Sequence, residues 1–434
     1  MQRYSDKGRV MPIRIGLVPE GPVSIRSGNF FQGEGEGIYV HALARAFAGV
    51  TVFAHVLRPG DPAFEDTLGY PMASPNLTVV ELPLAGTDRY ATLRKFGQLW
   101  RTLRTLWAYR DTVDLHYIFL PGYSGVLATL MCRLMRRPYA LYLAADWPEA
   151  AEFLIPFEGG LARALLPLYR RAVGLLQDTA VRGARFVMVA GAWLHAKYAG
   201  SGAPVFETIP RINWAAYPDA GRTDTCGGAT ITLLFVGFLL ERKGAEYFVD
   251  AISLLRRRGL NVRGVIVGSG DREPHLRRQI ARLGLTSFIA MRGLIMKGED
   301  IAREYRAADI MVFASLGGDG FPRVLYEAMS QGLPIISTDV CGISLKLGAE
   351  KEALFVRPGD ARGIADAVER LGRDSGLRRT LIHNGRAFMR PLAANVDSGV
   401  QICELVERYA GLGVSSGSAI PDRAAKSGAL HEEM

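Results

Sequence analysis

The stretch DGFPRVLYE, residues 319–327, places two carboxylates eight positions apart. The first, Asp319, lies in a glycine-rich segment that follows a strand-like apolar run at residues 310–313. The second, Glu327, lies about one turn into a helix that Pro322 can open, because proline suits the first turn of a helix. Loop N–H groups and the N-terminus of such a helix can together hold a diphosphate. The stretch therefore predicts a strand, a loop and a helix with an anion site at the loop.

Two earlier segments also join an apolar strand to a helix through glycines. Residues 233–244 read LLFVGFLLERKG, and residues 265–271 read VIVGSGD. The notable residues at these two turns are Gly237, Arg242, Lys243, Gly268 and Gly270. Strands that alternate with helices in this way predict an α/β fold with parallel sheets.

In this order along the chain, the segments resemble the retaining glycosyltransferases of family 4, among the group 1 glycosyltransferases. That family carries two glutamates separated by seven residues, with Gly-Phe-Gly or Gly-Phe-Pro after the first, and Asp319 stands here for the first glutamate. Further matches are the loop IAMRGL at 289–294, YRAAD at 305–309, GLPIIST at 332–338 and FVRPGD at 355–360. The resemblance implies the GT-B architecture, an α/β fold of two Rossmann-like domains that face each other across a donor cleft.

The same resemblance implies a donor that is a UDP- or GDP-linked nucleotide sugar, with no metal and no separate cofactor. Lys243 would contact the donor phosphates, Asp319 the transferred sugar and Glu327 the ribose. The implied catalytic residues are Lys243, Asp319 and Asp146. The implied donor-binding residues are Gly35, Gly37, Gly237, Arg242, Gly268, Gly270, Arg292, Gly317, Gly318, Gly320, Phe321, Pro322 and Glu327.

Three positions depart from the family pattern. Phe238 replaces an arginine, and Phe cannot make the bidentate phosphate contact of a guanidinium. Ala145 replaces a histidine that lines the donor sugar, a role that His41 or His116 could take instead, and Asp319 is one methylene short. The expected activity is hexose transfer to a saccharide or lipid-linked acceptor in surface polysaccharide or glycolipid synthesis. Two alternatives stay open: a degenerate protein that only binds a saccharide or a partner, and a nucleotide-sugar epimerase.

The amino-terminal half resembles an acceptor-binding domain. A strand is predicted at 13–18, then a glycine-rich loop at 33–37 and a helix, and further strands at 113–116 and 139–146. The predicted divisions are an amino-terminal domain 1–217, a linker 218–228, a carboxyl-terminal domain 229–395, a returning helix 396–412 and a disordered tail 413–434.

Composition fits a globular cytoplasmic protein. The chain has 434 residues, 49% of them hydrophobic, which allows two or three domains. No stretch has about 18 uninterrupted apolar residues, and the N-terminus lacks an apolar signal core. The four cysteines are scattered, so their spacing suggests neither zinc nor a disulfide framework.

The formal net charge is +9, and part of this excess is local. Residues 89–110 contain six basic residues and no acidic one, with Leu93, Phe96, Trp100, Leu103 and Trp107 at helical spacing. One interpretation is a helix on an anionic membrane surface, which would make the protein a peripheral membrane protein. The other is an ordinary helix whose apolar stripe packs in the core. Nucleic acid is not an expected partner, because no nucleic-acid module accompanies the charge.

Overall fold

The computed structural model describes residues 10–61, 64, 70–83, 92–154, 160–208, 210–295, 298–318, 320–394 and 398–412. Within these residues the chain forms two α/β domains, each built on a parallel sheet, and one small additional sheet.

The amino-terminal domain is built on a parallel sheet of seven strands, in the order β11-β10-β9-β8-β1-β4-β7. These strands are β1 (Met11–Val18), β4 (Phe47–Ala54), β7 (Leu77–Glu81), β8 (Leu115–Leu120), β9 (Tyr139–Leu143), β10 (Val187–Val189) and β11 (Val205–Glu207). The small sheet contains β2 (Val23–Arg26), β3 (Asn29–Gln32), β5 (Val56–Leu57) and β6 (Tyr70–Pro71). The helices are α1 (Glu34–Ala46), α2 (Thr92–Ala108), α3 (Tyr123–Leu134), α4 (Trp147–Leu154), α5 (Gly160–Gly183) and α6 (Ala192–Tyr198).

The carboxyl-terminal domain has a parallel sheet of six strands, in the order β14-β13-β12-β15-β16-β17. These strands are β12 (Ile231–Val236), β13 (Val262–Val267), β14 (Ile289–Gly293), β15 (Ile310–Phe313), β16 (Ile335–Thr338) and β17 (Leu354–Val356). The helices are α7 (Ala245–Arg257), α8 (Glu273–Arg282), α9 (Gly298–Ala307), α10 (Arg323–Ser330), α11 (Ala361–Arg373) and α12 (Ser375–Ala394).

Each sheet has one place where the direction of strand addition reverses. In the first sheet this place lies between β1 and β8, and in the second it lies between β12 and β15. Ligands of open α/β sheets bind outside the carboxyl ends of the strands at such reversals. The topology alone therefore directs attention to the loops that follow these four strands.

The last described helix, α13 (Ser398–Tyr409), packs in the core of the amino-terminal domain. Ile402, Cys403 and Val406 are buried there, together with Leu43 of α1 and other apolar side chains. The chain thus returns to its first domain after completing the second.

The segment 218–228 is fastened to the carboxyl-terminal domain. The Arg222 guanidinium donates to the carbonyl oxygens of Arg306 (2.9 Å) and Ala308 (2.8 Å). The Asp224 carboxylate pairs with Arg378 at 2.7 Å. These bonds make the segment part of that domain's surface.

One sequence prediction for the amino-terminal domain is wrong. The predicted glycine-rich loop at 33–37 is mostly helical, because α1 begins at Glu34 and the Gly37 N–H donates to the Gly33 carbonyl oxygen at 2.8 Å. The segment of the chain that joins β1 to this helix contains a β-hairpin of β2 and β3. A Cβ at Gly37 would lie 2.6 Å from Tyr70 Cβ, so close helix packing accounts for the glycine there.

The basic segment does form a helix, α2. Its exposed face is not the one expected of an ordinary helix whose whole apolar stripe packs in the core. Leu106 and Thr102 are buried, whereas Trp100 is 69% exposed and Trp107 is 53% exposed. The tryptophans of the predicted stripe therefore face solvent. Among the described residues, no helix combines the length and the apolar character needed to cross a bilayer.

Candidate functional site

Two of the predicted segments meet where the second sheet reverses direction. The Leu316 N–H donates to the Arg242 carbonyl oxygen at 2.7 Å, and the Ser315 hydroxyl donates to the same oxygen at 3.1 Å. Ser315 and Arg242 are 73 positions apart in the chain. The segment that carries Lys243 and the glycine-rich loop after β15 therefore form one continuous backbone surface.

Glycines allow the backbones at this surface to touch. Gly268 has a φ of +144°, and a Cβ there would lie 1.9 Å from the Gly237 carbonyl oxygen. Gly270 has a φ of +155°, and its Cβ would lie 2.6 Å from the Leu239 carbonyl oxygen. A side chain at either position would force the loops apart. The loops after β12 and β13 are thus held in direct contact.

Glu327 lies on the second turn of α10, the helix that follows the glycine-rich loop. The helix begins at Arg323, with Pro322 as its extended N-cap residue, and Gly317 and Gly318 precede it with positive φ. Glu327 is only 6% exposed, and the Tyr305 hydroxyl donates to its Oε2 at 2.8 Å. Burial, together with the Glu327 carboxylate, raises the pKa of Tyr305, so the phenol stays a proton donor. This bond orients the carboxylate.

The same loop presses against the amino-terminal domain. The Phe321 N–H donates to the Ala190 carbonyl oxygen, which follows β10, at 2.7 Å. A Cβ at Gly320 would lie 2.5 Å from that oxygen and 2.6 Å from the Ala144 carbonyl oxygen, which follows β9. Only a glycine fits between the two domains at this point.

An ion pair also bridges the domains. Lys346 Nζ lies 2.6 Å from Glu207 Oε2, at the end of β11, and donates to the Tyr326 hydroxyl at 3.2 Å. The ammonium also lies 5.1 Å from the centre of the Phe321 ring. The carboxyl edges of both sheets therefore face each other across a closely joined cleft.

The structure brings two further charged side chains to this cleft that the sequence did not single out. Glu20 follows β1 at the reversal of the first sheet. Its side chain is exposed, yet desolvation by the protein around it raises its pKa to about 7, and Arg211 and Arg242 partly offset this shift. The only sign of Glu20 in the sequence was its position directly after the first strand. That position points to the cleft only once the strand order is known.

Arg211 is the second of these residues. Its guanidinium carbon lies 5.2, 5.1 and 4.5 Å from the ring centres of Tyr39, Phe119 and Tyr142, respectively. Arg323 of the other domain donates to the Arg211 carbonyl oxygen at 3.2 Å. Arg211 lies outside all of the sequence segments that predicted the site.

Asp146 lies after β9 and is engaged by its own domain. Lys197 Nζ lies 2.6 Å from its Oδ1, and Gln177 Nε2 donates to the same oxygen at 3.3 Å. A catalytic role for Asp146 stays a prediction. In that role the carboxylate would have to bind substrate while it keeps these contacts, or break them. Asp319 lies outside the described residues.

The remaining predicted residues are spread around the site. Arg292, at the end of β14, is exposed and lies 3.3 Å from Glu304. Gly35 is in the first turn of α1. Phe238 is exposed beside Gly237. The donor-binding roles of Arg292 and Gly35 stay predictions.

His116 cannot line the donor as suggested. It is the second residue of β8, about four residues or 13 Å from the carboxyl end that borders the cleft. Its ring is 1% exposed and stacks on Phe53, and neither ring nitrogen has a hydrogen-bond partner within the described chain. Burial lowers its pKa to about 4. The described residues also contain no group of three or more His, Cys, Asp or Glu that could hold a metal ion.

Residues 230–374 match the family model described as glycosyl transferases group 1. Phosphatidyl-myo-inositol mannosyltransferase from Mycobacterium leprae is 32% identical over 177 residues, which are 41% of this chain and 44% of the relative. The chain spans about two fifths of the length of the curated relatives it matches.

Solved structures extend the likeness to both domains. Sucrose-phosphate synthase from Thermosynechococcus elongatus is 20% identical with a TM-score of 0.69, covering 91% of this chain and 98% of that one. HepE from Anabaena, solved in complex with UDP-glucose, is 16% identical with a TM-score of 0.61 and the same coverages. The chain therefore has the GT-B fold, and residues 230–374 of its carboxyl-terminal domain are similar to the group 1 glycosyltransferases.

Proposed function

We propose that this protein is a retaining, metal-independent glycosyltransferase. It moves a hexose from a UDP- or GDP-linked sugar to a saccharide or lipid-linked acceptor, in the synthesis of a surface polysaccharide or glycolipid. The names of the relatives support this class, since they include an amylovoran biosynthesis glycosyltransferase of Erwinia amylovora and a capsular polysaccharide glycosyltransferase of Staphylococcus aureus.

One observation carries the proposal. The backbone around Arg242 and Lys243 is hydrogen-bonded to the glycine-rich loop that leads into α10, at the reversal point of the sheet. This arrangement joins a cation, a glycine-rich backbone and a helix N-terminus in one place. Those are the groups that recognise a diphosphate.

The chemistry follows from the charge that the reaction creates. When the glycosidic bond to the diphosphate breaks, negative charge grows on the leaving oxygen. The Lys243 ammonium and the N-terminus of α10 stabilise that charge, in place of a metal ion. Glu327, oriented by Tyr305, accepts hydrogen bonds from the ribose hydroxyls. Asp319 orients the transferred sugar.

The acceptor approaches from the amino-terminal side of the cleft. Glu20 is exposed there, and its pKa near 7 leaves a large fraction ionised at neutral pH. An ionised carboxylate at this place can accept a hydrogen bond from the acceptor hydroxyl and orient it toward the donor. A lipid-linked acceptor would also make an anionic membrane a partner, through the basic helix α2.

Turnover of nucleotide sugars by single variants tests the proposal. Donor hydrolysis and transfer are measured with UDP-, GDP- and ADP-linked hexoses, for the wild type, Lys243→Ala and Asp319→Ala. Lys243→Ala should lower kcat by about 10²- to 10³-fold, as loss of one group that stabilises a developing oxyanion does, while donor affinity changes less. Asp319→Glu, which restores the family residue, should retain activity.

The outcomes separate the alternatives. If donors bind but none is turned over, the protein is a degenerate binding protein. If a free epimerised sugar appears without acceptor, the protein is an epimerase. If an active protein loses less than about threefold in both alanine variants, this cluster is not the catalytic site.

A further inference from the structure

The exposed apolar side chains of this protein are concentrated on three helices. Of the fourteen large hydrophobic residues that are exposed in the described part of the chain, nine lie on α2, α3 and α5. They are Trp100, Trp107, Tyr123, Leu130, Leu134, Leu165, Leu168, Leu175 and Leu176. Single exposed apolar residues are ordinary, but a group of this size on neighbouring elements marks an interaction surface.

The three helices cover one side of the first sheet. Their inward side chains, such as Leu106 of α2, Met131 of α3 and Val181 of α5, belong to a single hydrophobic core cluster. Helices α2 and α3 pack against each other, and Arg133 of α3 donates to the Thr179 carbonyl oxygen of α5 at 2.8 Å. The outward side chains of all three helices therefore form one layer, which we call the apolar–basic face.

The charge of this face is predominantly positive. By sequence the three helices contain nine basic residues and a single acidic one, Asp178. Several of the basic side chains are exposed beside the apolar ones, including Arg101 and Arg104 on α2, Arg133 on α3 and Arg171 on α5. Two such faces would repel each other, which disfavours a second copy of the chain as the occupant.

We propose that the apolar–basic face docks on the surface of an anionic lipid bilayer. Basic side chains beside exposed Leu and Trp are what an interfacial surface requires, because the cations attract anionic headgroups and the apolar side chains enter the boundary region. Tryptophan in particular favours the headgroup level. The proposal rests on exposure and charge, and it does not depend on which reaction the cleft performs.

This docking would keep the cleft close to the bilayer. The face is one broad side of the first sheet, whereas the cleft lies at the carboxyl edge of the same sheet. A protein that lies on the membrane through this side leaves its cleft open along the bilayer surface. An acceptor with a lipid anchor would then reach the cleft without leaving the membrane.

Sedimentation with lipid vesicles tests the docking. The full chain is mixed with vesicles of equal parts phosphatidylglycerol and phosphatidylcholine, and with vesicles of phosphatidylcholine alone, at low and high salt. The wild type should bind the anionic vesicles and be released by salt. Arg101→Glu, Arg104→Glu and Arg171→Glu together should weaken binding by about 100-fold or more, since each basic residue near the surface contributes about 1 kcal/mol.

The apolar part has its own variants. Leu130→Ser with Leu134→Ser, and Leu165→Ser with Leu168→Ser, should each weaken binding to anionic vesicles by about tenfold. Because these side chains are exposed, the melting temperature should hardly change. The matched controls are Leu345→Ser and Arg357→Glu on the carboxyl-terminal domain, where both side chains are exposed, and they should bind vesicles like the wild type.

Three results would overturn the proposal. Vesicle binding that ignores salt, lipid charge and all of these variants would exclude the face as the contact, and so would an absence of binding. A dimer in sedimentation velocity that the leucine variants dissociate would assign the face to a second copy. Donor hydrolysis without lipid should be unchanged in these variants, so loss of docking and loss of the proposed activity are separate outcomes.

Discussion

The two domains meet the cleft in different ways. The carboxyl-terminal domain presents backbone, held in place by glycines such as Gly268 and Gly270 whose φ values suit few other residues. The amino-terminal domain presents side chains: Glu20 after β1, Glu207 at the end of β11 and Arg211 in the segment that follows β11. A backbone site constrains the sequence locally, whereas a side-chain site depends on how distant loops are assembled. The first can be recognised in a sequence and the second cannot.

Gly320 lies where the backbone surface of one domain meets the other domain. Of the variants that test the comparison between the domains, Gly320→Ala should change activity most. The added Cβ would overlap the carbonyl oxygens of Ala144 and Ala190, so the closed cleft would have to open. Such overpacking typically costs about 1–3 kcal/mol. That range corresponds to roughly a 5- to 150-fold loss of kcat/KM.

Gly227→Ala is the matched control, because a Cβ at Gly227 meets nothing within 4 Å. It should leave both activity and shape unchanged. Small-angle scattering of Gly320→Ala should give a larger radius of gyration than that of the wild type. A compact and fully active Gly320→Ala protein would show that the loop contact is not needed for closure.

The difference between a site built from backbone and one built from side chains also explains which features could be predicted from the sequence. The strands, the turns at Gly237 and Gly268 and the helix after Pro322 were predictable, because apolar periodicity and glycine position determine them locally. The prediction of a loop at 33–37 failed because Gly37 lies within α1, where it allows close packing on Tyr70 of a distant strand. Glu20 was overlooked since only the strand order places it opposite Arg242.

His116 makes the amino-terminal domain sensitive to acid. Its pKa is about 4 in the folded protein and about 6.5 when unfolded, so the unfolded chain takes up a proton first as the pH falls. The free energy of unfolding should therefore fall by about 2 kcal/mol between pH 7.5 and pH 5 because of this residue alone. Denaturant titrations at both pH values measure this change.

His116→Leu should remove the part of the pH dependence of the unfolding free energy that His116 contributes, whatever the substitution does to stability at pH 7.5. His275→Leu, at an exposed position of the carboxyl-terminal domain, is the control and should keep the wild-type slope. An unchanged slope in His116→Leu would mean that the buried ring takes up a proton in the folded protein as readily as in the unfolded one.

Removing Glu20 should have the smallest effect on activity, and it should also change the pH dependence. With a pKa near 7, the carboxylate is lost as the pH falls below neutrality, so kcat/KM of the wild type should decline there. Glu20→Gln should lack this acid limb and lose about fivefold at pH 8, the value of one hydrogen bond of about 1 kcal/mol. Glu20→Asp should restore the limb at least in part. A wild-type limb that persists in Glu20→Gln belongs to another group.

Calorimetric titration of nucleotides tests the central claim, a nucleotide-sugar site in the cleft, most directly. UDP, GDP and ADP are titrated into the wild type, into Glu327→Gln and into the distant control Glu369→Gln. Glutamine still accepts the hydrogen bond from Tyr305, so the fold is preserved while the charge is removed. One nucleotide should bind one site per chain, about 10- to 100-fold more weakly in Glu327→Gln, as loss of a charged hydrogen bond predicts, and with wild-type affinity in Glu369→Gln. Absence of binding by all three nucleotides, or equal affinity in the wild type and Glu327→Gln, would contradict the account.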